Sequence, residues 1–125
     1  MSHRKTILLI DDDPLICEMT QAVLDRLGYN SMAVASAEEA RTVFSGNPRQ
    51  FDLIMVDHIL SDKSGVELAT DLLCIRPDIP IVLYTGGRAE IEDVQSKGIH
   101  AIIPKGLSRQ EFAGALEHIF NTVSY

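Results

Sequence analysis

The sequence lacks the residue patterns of several large protein classes. Its 125 residues include only two cysteines, Cys17 and Cys74, without CxxC spacing, and four histidines without HxxH or HExxH spacing. This disfavours a zinc site or a disulfide framework, and both cysteines are predicted to be buried in apolar segments. No apolar run approaches the roughly 18 residues that a membrane-spanning helix needs.

A block of basic residues is also missing, and the net charge is −7. Such a chain is poorly suited to bind nucleic acid or an anionic membrane through its overall field. The N-terminal stretch MSHRKTILLI runs into aspartates without a small-residue cleavage site, so it is interpreted as a strand rather than a signal peptide. The length and the 46% hydrophobic content predict one domain over residues 1–125, located in the cytoplasm.

Continuous apolar runs indicate strands that are buried on both faces, as in a parallel sheet covered by helices. Three runs have this character: Thr6–Ile10, Leu53–Val56 and Ile81–Leu83. Two weaker runs, Ser31–Ala35 and Ile99–Ile103, are predicted to be edge strands.

Helix start and stop signals lie between these runs. Three predicted helices begin with S-x-x-E, the capping-box pattern in which serine and glutamate each accept from a backbone amide; these are Ser36–Glu39, Ser64–Glu67 and Ser108–Glu111. Asp13 and Pro14 supply a cap and a first helical residue for the first helix. Gly28 and Gly98 are predicted helix stops. The pattern is (βα)₅, an α/β protein with a doubly wound parallel sheet.

Polar residues follow the central strands. Because parallel strands end at the same edge of a sheet, these side chains should gather in one crevice; they are Asp11, Asp12 and Asp13 after the first strand, Asp57 after the third, Thr85 after the fourth and Lys105 after the fifth. Each alone could be a turn, a helix cap or a surface residue. Asp13, which precedes a proline, is predicted to cap the first helix. Asp11 and Asp12 are then left to face Asp57.

The chemistry of these polar side chains limits the reactions that they could support. Two carboxylates 4 Å apart repel by roughly 4 kcal/mol at an effective dielectric near 20, so the cluster needs a counter-ion. Hard oxygen ligands without histidine or thiolate suit Mg²⁺. A lysine and a hydroxyl suit phosphoryl oxygens, and an aspartate can serve as a nucleophile. The residues therefore predict phosphoryl transfer to a carboxylate.

At this point the sequence resembles the response-regulator receiver domains, which are CheY-like, over nearly its whole length. The resemblance rests on the acidic cluster after strand one, on LIMVDHILSDKSG around Asp57, on PIVLYTGG with Thr85 and on IIPKG with Lys105. It implies a flavodoxin-like sheet with strand order 2-1-3-4-5. It also implies a signalling module of a two-component system or phosphorelay rather than an enzyme, catalysing only its own phosphorylation and dephosphorylation.

The resemblance implies a role for each acidic residue. Asp57 would accept a phosphoryl group from the phosphohistidine of a sensor histidine kinase or a histidine phosphotransfer domain. Asp12, Asp57 and the backbone carbonyl of Ile59 would bind Mg²⁺, and Asp11 would complete the pocket through a water molecule.

It likewise implies roles for the two donors. Lys105 would neutralise a phosphoryl oxygen, and Thr85 would donate a hydrogen bond to the phosphoryl group and draw its loop inward. An altered surface would then bind an unknown downstream protein. The usual output face of the family, helix 4, strand 5 and helix 5, would present Arg88, Glu90, Glu92 and the helix from Ser108. A homodimer through that face is a further expectation.

The sequence departs from the family pattern in the loops around the site. Gly106 follows Lys105 where the family usually has a proline, often with a cis bond, and Pro104 precedes the lysine instead. A cis Lys105–Gly106 bond would cost about 3–4 kcal/mol. Ser61 replaces a common proline, and Ile102 replaces the aromatic residue of strand five that usually reports the movement of the threonine.

Other interpretations stay open at the level of sequence. The segment IRPDIPIVLYTGG also resembles receivers fused to hybrid sensor kinases. A degenerate receiver could act as an unphosphorylated scaffold. The Asp11-x-Asp13 pattern resembles the D-x-D of Mg²⁺-dependent phosphatases, but Pro14 and Leu15 follow it and a cap domain has no room. A flavodoxin-like electron carrier would share the topology, yet three carboxylates would repel a flavin phosphate.

Overall fold

A single parallel sheet organises the chain. The computed structural model describes residues 4–86 and 91–123, and only the backbone of residues 91–93. The strands are β1 (Thr6–Ile10), β2 (Asn30–Val34), β3 (Leu53–Val56), β4 (Ile81–Thr85) and β5 (Ala101–Pro104). The helices are α1 (Pro14–Arg26), α2 (Ala37–Gly46), α3 (Gly65–Ile75), α4 (Ile91–Ser96) and α5 (Arg109–Thr122), with a 3₁₀ turn at Pro48–Gln50.

The strands pair in parallel in the order β2-β1-β3-β4-β5. This confirms the predicted fold class and strand order, and β2 and β5 are the edge strands. β4 runs two residues further than the apolar pattern predicts, because Thr85 pairs in register with Pro104 of β5. The site threonine is therefore the last residue of a strand.

The continuous apolar runs are explained by two separate cores, one on each face of the sheet. Leu8 and Ile10 of β1 belong to one buried cluster, whereas Ile7 and Leu9 belong to the other. Side chains alternate between the faces of a strand, so a strand covered on both sides must be apolar at every position. Helices on both faces cover the sheet and leave its carboxyl edge for polar groups.

Two of the predicted capping boxes are incomplete. At α5 the box is complete, with Ser108 and Glu111 bonding reciprocally at 3.1 and 3.0 Å. At α2, Ser36 accepts from the amide of Glu39, but the Glu39 carboxylate accepts from the amide of Ala35 instead of that of Ser36. At α3, Ser64 accepts from the amide of Glu67, and no return bond is found among the described residues.

Glycines end two of the helices as predicted. Gly28 follows α1 by two residues with a φ of 95°, and Gly98 follows α4 with a φ of 87°. Only glycine adopts this left-handed backbone without steric cost. Both stops are confirmed.

The expectation that both cysteines are buried is wrong for Cys74. Cys17 is buried in α1, but Cys74 in α3 is exposed. The buried face of α3 is set by Leu68, Ala69 and Leu72. Cys74 follows Leu72 by two residues, about 200° around the helix, and therefore points away from the core.

Among the described residues, no helix is long and apolar enough to cross a membrane.

Candidate functional site at the carboxyl edge of the sheet

Backbone hydrogen bonds place two aspartates at neighbouring strand ends. The amide of Asp57 donates to the carbonyl of Ile10 at 2.9 Å, and the amide of Asp11 donates to the carbonyl of Val34 at 3.1 Å. These bonds extend the sheet by one step beyond β3 and β1. The first residue after each of these strands is thus fixed by the sheet itself.

Three carboxylates meet at this edge. One oxygen each from Asp11, Asp12 and Asp57 can be chosen so that all three lie within 4.8 Å of one another. Asp11 is buried, Asp12 is exposed and Asp57 is partly buried. All three donors are hard carboxylate oxygens, the type that Mg²⁺ prefers, and the exposed side of the group leaves access from solvent. The arrangement therefore fits a divalent cation.

Lys105 reaches the same cluster from β5. Its Nζ lies 2.9 Å from Oδ2 of Asp11 and 3.4 Å from Oδ2 of Asp57. Its amide donates to the carbonyl of Thr85 at 2.9 Å, which ties the start of the loop to the end of β4. Gly106 follows with a φ of 88°, a conformation that proline cannot adopt. The loop differs from the usual proline-containing form, but it still delivers the ammonium group to both carboxylates.

Burial and the close approach of the charged groups shift the pKa values of Asp57 and Lys105. Burial raises the pKa of Asp57, the charge of Lys105 lowers it, and the charge of Asp11 raises it again, so that it lies above its ordinary value. Burial lowers the pKa of Lys105, but the hydrogen bonds and charges of Asp11 and Asp57 together leave it raised. The site therefore favours the protonated form of Lys105 and disfavours ionisation of Asp57.

The remaining predicted site residues lie around this centre. Thr85 is buried at the end of β4, and its carbonyl accepts a hydrogen bond from the amide of Lys105. Ile59 lies two residues after Asp57, where it pairs with Ser64 in an isolated antiparallel bridge, and its side chain is 74% exposed.

Asp13 is set apart from the cluster by its helix. Its Oδ1 accepts from the amide of Leu15 at 2.9 Å and from that of Ile16 at 3.4 Å, which confirms its predicted role as the cap of α1. Asp11 in turn accepts from the amide of Asp13 at 2.9 Å. The acidic triplet thus divides into one capping residue and two members of the cluster.

Comparison with known proteins agrees with this geometry. A family model described as the response regulator receiver domain matches residues 7–117. The chain belongs to the response regulator receiver domain family.

Receiver domains with known names and structures show how far the similarity extends. The phosphate regulon transcriptional regulatory protein PhoB of Pseudomonas aeruginosa is 33% identical over 119 residues, covering 92% of this chain and 51% of PhoB. The non-phosphorylated HemR receiver domain of Leptospira biflexa superimposes with a TM-score of 0.85 at 26% identity, covering 98% of each chain. A CheY-like receiver domain protein from Methanospirillum hungatei gives 0.83 at 26% identity, covering 95% of each. The chain spans about half the length of several curated relatives that it matches.

Two residues around this receiver site were not predicted from the sequence. A Cβ on Gly65 would lie 2.1 Å from the carbonyl oxygen of Asp57, so only glycine fits beside the backbone of that aspartate. The Nζ of Lys105 also lies 5.7 Å from the centre of the Tyr84 ring, which packs against Phe112 of α5. Gly65 at the first position of α3 is a sequence feature from which the close approach could have been predicted. The contact between Lys105 and Tyr84 joins residues that are distant in the chain, and no sequence pattern indicates it.

The predicted output face is described only in part. Arg88 and Glu90 lie outside the described residues, as does the side chain of Glu92. Ile102 of β5 is partly buried and packs against one of the two cores of the receiver. At this position the receiver therefore has an aliphatic residue that contributes to core packing.

Replacing Asp12 by alanine should weaken Mg²⁺ binding and slightly stabilise the metal-free protein. The variant loses one of the three carboxylates of the acidic cluster, so the dissociation constant for Mg²⁺ is expected to rise about tenfold or more. It also loses an exposed charge beside two other carboxylates, which is expected to add about 0.5 kcal/mol to the free energy of unfolding. Metal titration and denaturant unfolding in EDTA measure the two effects. Lower metal-free stability would contradict a crowded acidic pocket.

Proposed function

We propose that this chain, as one receiver domain over residues 1–125, accepts a phosphoryl group on Asp57 in a Mg²⁺-dependent reaction. The observation that carries the proposal is the position of Lys105, whose ammonium group contacts both Asp11 and Asp57 within a cluster of three carboxylates. The donor is the phosphohistidine of a sensor histidine kinase or of a histidine phosphotransfer domain. Membership of the receiver family supports a phosphorylation-dependent signalling role.

Asp57 and Lys105 perform complementary parts of the transfer. A carboxylate oxygen of Asp57 attacks phosphorus, the phosphorus–nitrogen bond of the donor breaks, and its electron pair returns to the imidazole. The Lys105 ammonium compensates charge on a phosphoryl oxygen, and the hydroxyl of Thr85 donates a hydrogen bond to the product. Transfer of this kind depends mainly on positioning and charge compensation.

Receiver domains generally bind Mg²⁺ at an acidic pocket, and the donor set here fits that ion. Asp12, Asp57 and the carbonyl of Ile59 would hold it directly, and Asp11 through a water molecule. When bound, Mg²⁺ would neutralise charge on the cluster and on the incoming phosphoryl group. The burial of Asp11 and its bond to Lys105 support its assignment to the outer position.

The output of this receiver is proposed to be a change in protein binding. PhoB and ComA are transcriptional regulatory proteins by name, and this chain matches about half of each. With a net charge of −7, the chain itself is not proposed to contact nucleic acid. Fusion to a hybrid kinase, a cytoplasmic location and a homodimer through the α4–β5–α5 face stay predictions.

Asp57→Asn tests the assignment of the acceptor. Incubation with acetyl phosphate and Mg²⁺ should add one phosphoryl group to the wild-type chain and none to the variant, as measured by intact-mass spectrometry. Asp78→Asn, an exposed position before β4 at the opposite edge of the sheet, is the matched control and should be phosphorylated like wild type. Equal phosphorylation of Asp57→Asn and wild type would contradict the assignment.

The same reagents separate the competing functions. A wild-type chain that never gains mass would support the scaffold interpretation. Continuous turnover of a small phosphate ester, lost in Asp11→Asn but retained in Asp57→Asn, would support a phosphatase. The contact of Lys105 with Asp57 favours the receiver function over the scaffold. The use of Asp13 as the cap of α1 disfavours the phosphatase, because Asp13 is the second aspartate of its D-x-D pattern.

A further inference from the structure

The segment that follows the acceptor folds into a small hairpin. We call residues Asp57–Gly65 the acceptor hairpin. The amide of Gly65 donates to the carbonyl of His58 at 2.7 Å, and the amide of Leu60 donates to the carbonyl of Lys63 at 3.1 Å. Ile59 and Ser64 form an antiparallel bridge between its two arms. The carbonyl of Ile59, the proposed metal ligand, therefore belongs to the base of this hairpin.

The tip of the acceptor hairpin is attached to α2 by one side chain. Oδ1 of Asp62 accepts from the amide of Ala37 at 3.0 Å, and Oδ2 accepts from the amide of Glu38 at 3.1 Å. Both carboxylate oxygens are used, and the negative charge lies at the positive end of the helix dipole. These two amide bonds lower the pKa of Asp62, which is therefore ionised at neutral pH.

A second cap of α2 is independent of the hairpin. Oγ of Ser36 accepts from the amide of Glu39 at 3.1 Å, the third amide of the same helix. Ser36 and Asp62 thus both satisfy the N-terminus of α2. Only the Asp62 bonds also connect that terminus to the acceptor hairpin.

The two arms of the hairpin are held differently. The returning arm is fixed to α3, because Ser64 caps that helix and Lys63 pairs with Asp71 at 2.5 Å. On the outgoing arm Ile59 is 74% exposed, whereas the next residue, Leu60, is 5% exposed and packs into the core. Leu60 anchors this arm by packing, and the bonds of Asp62 to α2 add a polar attachment at its far end.

We propose that Asp62 is a positioning residue for the metal site, holding the Ile59 carbonyl in place by binding the acceptor hairpin to the N-terminus of α2. The inference rests on the proposed function for the role of that carbonyl. A metal ligand must be held to about 0.5 Å, and loss of a group that supports a ligand typically weakens metal binding about 10–100-fold. Asp62 itself makes no contact with the metal in this account.

Asp62→Ala, Asp62→Asn and Ser36→Ala test this role in the full chain. Mg²⁺ titrated alone into each protein gives its dissociation constant, and thermal unfolding in EDTA gives its stability. Asp62→Ala should weaken Mg²⁺ binding at least about tenfold. Asp62→Asn should fall between it and wild type, because the amide keeps one oxygen acceptor. Ser36→Ala should lose stability as a cap is removed, yet bind Mg²⁺ like wild type.

A second readout does not depend on the metal. In metal-free buffer, hydrogen exchange at the amides of Leu60 and Gly65 should be faster in Asp62→Ala than in Ser36→Ala. The inference is overturned if Asp62→Ala binds Mg²⁺ like wild type, if Ser36→Ala weakens binding equally, or if exchange in the hairpin is unchanged. Any of these three outcomes would overturn the role of Asp62 alone, provided that the wild type binds Mg²⁺ and is phosphorylated. A wild type that binds no Mg²⁺ contradicts both.

Discussion

Replacing Lys105 by alanine should lower the free energy of unfolding by about 3 kcal/mol in metal-free buffer. The side chain of Asp11 is 1% exposed and contacts Lys105 at 2.9 Å, so the variant leaves a buried carboxylate without its cation. Breaking such a pair costs more than the pair contributes, because the remaining charge stays desolvated. Denaturant unfolding in EDTA measures the loss.

The same variant should respond more strongly to Mg²⁺ than the wild type does. With the ammonium gone, a divalent cation is the remaining positive charge for the acidic cluster, and binding to the native state alone raises stability. Lys97→Ala, at an exposed position after α4, is the control and should unfold within about 0.5 kcal/mol of wild type. If Lys105→Ala and wild type have the same free energy of unfolding without metal, the Lys105–Asp11 ion pair does not stabilise the fold.

Replacing Gly65 by alanine should nearly abolish phosphorylation and destabilise the fold. The new Cβ would lie 2.1 Å from the carbonyl oxygen of Asp57 and 3.1 Å from its carbonyl carbon, so the backbone of the acceptor must move. Overpacking of this kind costs about 1–3 kcal/mol, and a displaced reacting group loses about a hundredfold in rate. Phosphoryl incorporation from acetyl phosphate and denaturant unfolding measure the two effects.

Gly114 in α5 offers a matched control for that substitution. A Cβ there meets no heavy atom within 4 Å, so Gly114→Ala should raise stability by about 0.5–1 kcal/mol through helix propensity and leave phosphorylation unchanged. A Gly65→Ala chain that accepts phosphoryl groups as fast as Gly114→Ala would contradict the close approach at Asp57.

The fold and the centre of the site could be predicted because both follow from local pattern. Thr6–Ile10 and Leu53–Val56 are strands with the predicted bounds, since a strand buried on both faces must be apolar throughout. Once the sheet is parallel, Asp11, Asp57 and Lys105 must lie at one edge. The capping role of Asp13 also follows from the proline beside it.

The unpredicted features depend on contacts between distant segments. Asp62 binds amides that lie 25 and 24 residues earlier in the chain, and no spacing in the sequence indicates that pairing. Its carboxylate takes the first two amides of α2, and Glu39 accepts from Ala35 rather than closing the predicted box. The exposure of Cys74 depends likewise on which face of α3 meets the sheet, which apolar content alone does not decide.

The loop that contains Lys105 departs from the family pattern in sequence. A proline is usual at the next position, whereas Gly106 adopts a left-handed conformation and the described residues contain no cis peptide bond. The lysine still contacts both carboxylates, and its amide is held by the carbonyl of Thr85. The departure from the family pattern therefore does not remove the contacts of Lys105 with the acidic cluster.

Phosphorylation of Asp57 in the wild-type chain can be measured by intact-mass spectrometry after incubation with acetyl phosphate. We expect the addition of one phosphoryl group when Mg²⁺ is present and none when EDTA removes it. An unchanged mass in Mg²⁺, or equal phosphorylation in EDTA, would contradict a metal-dependent acceptor site at Asp57.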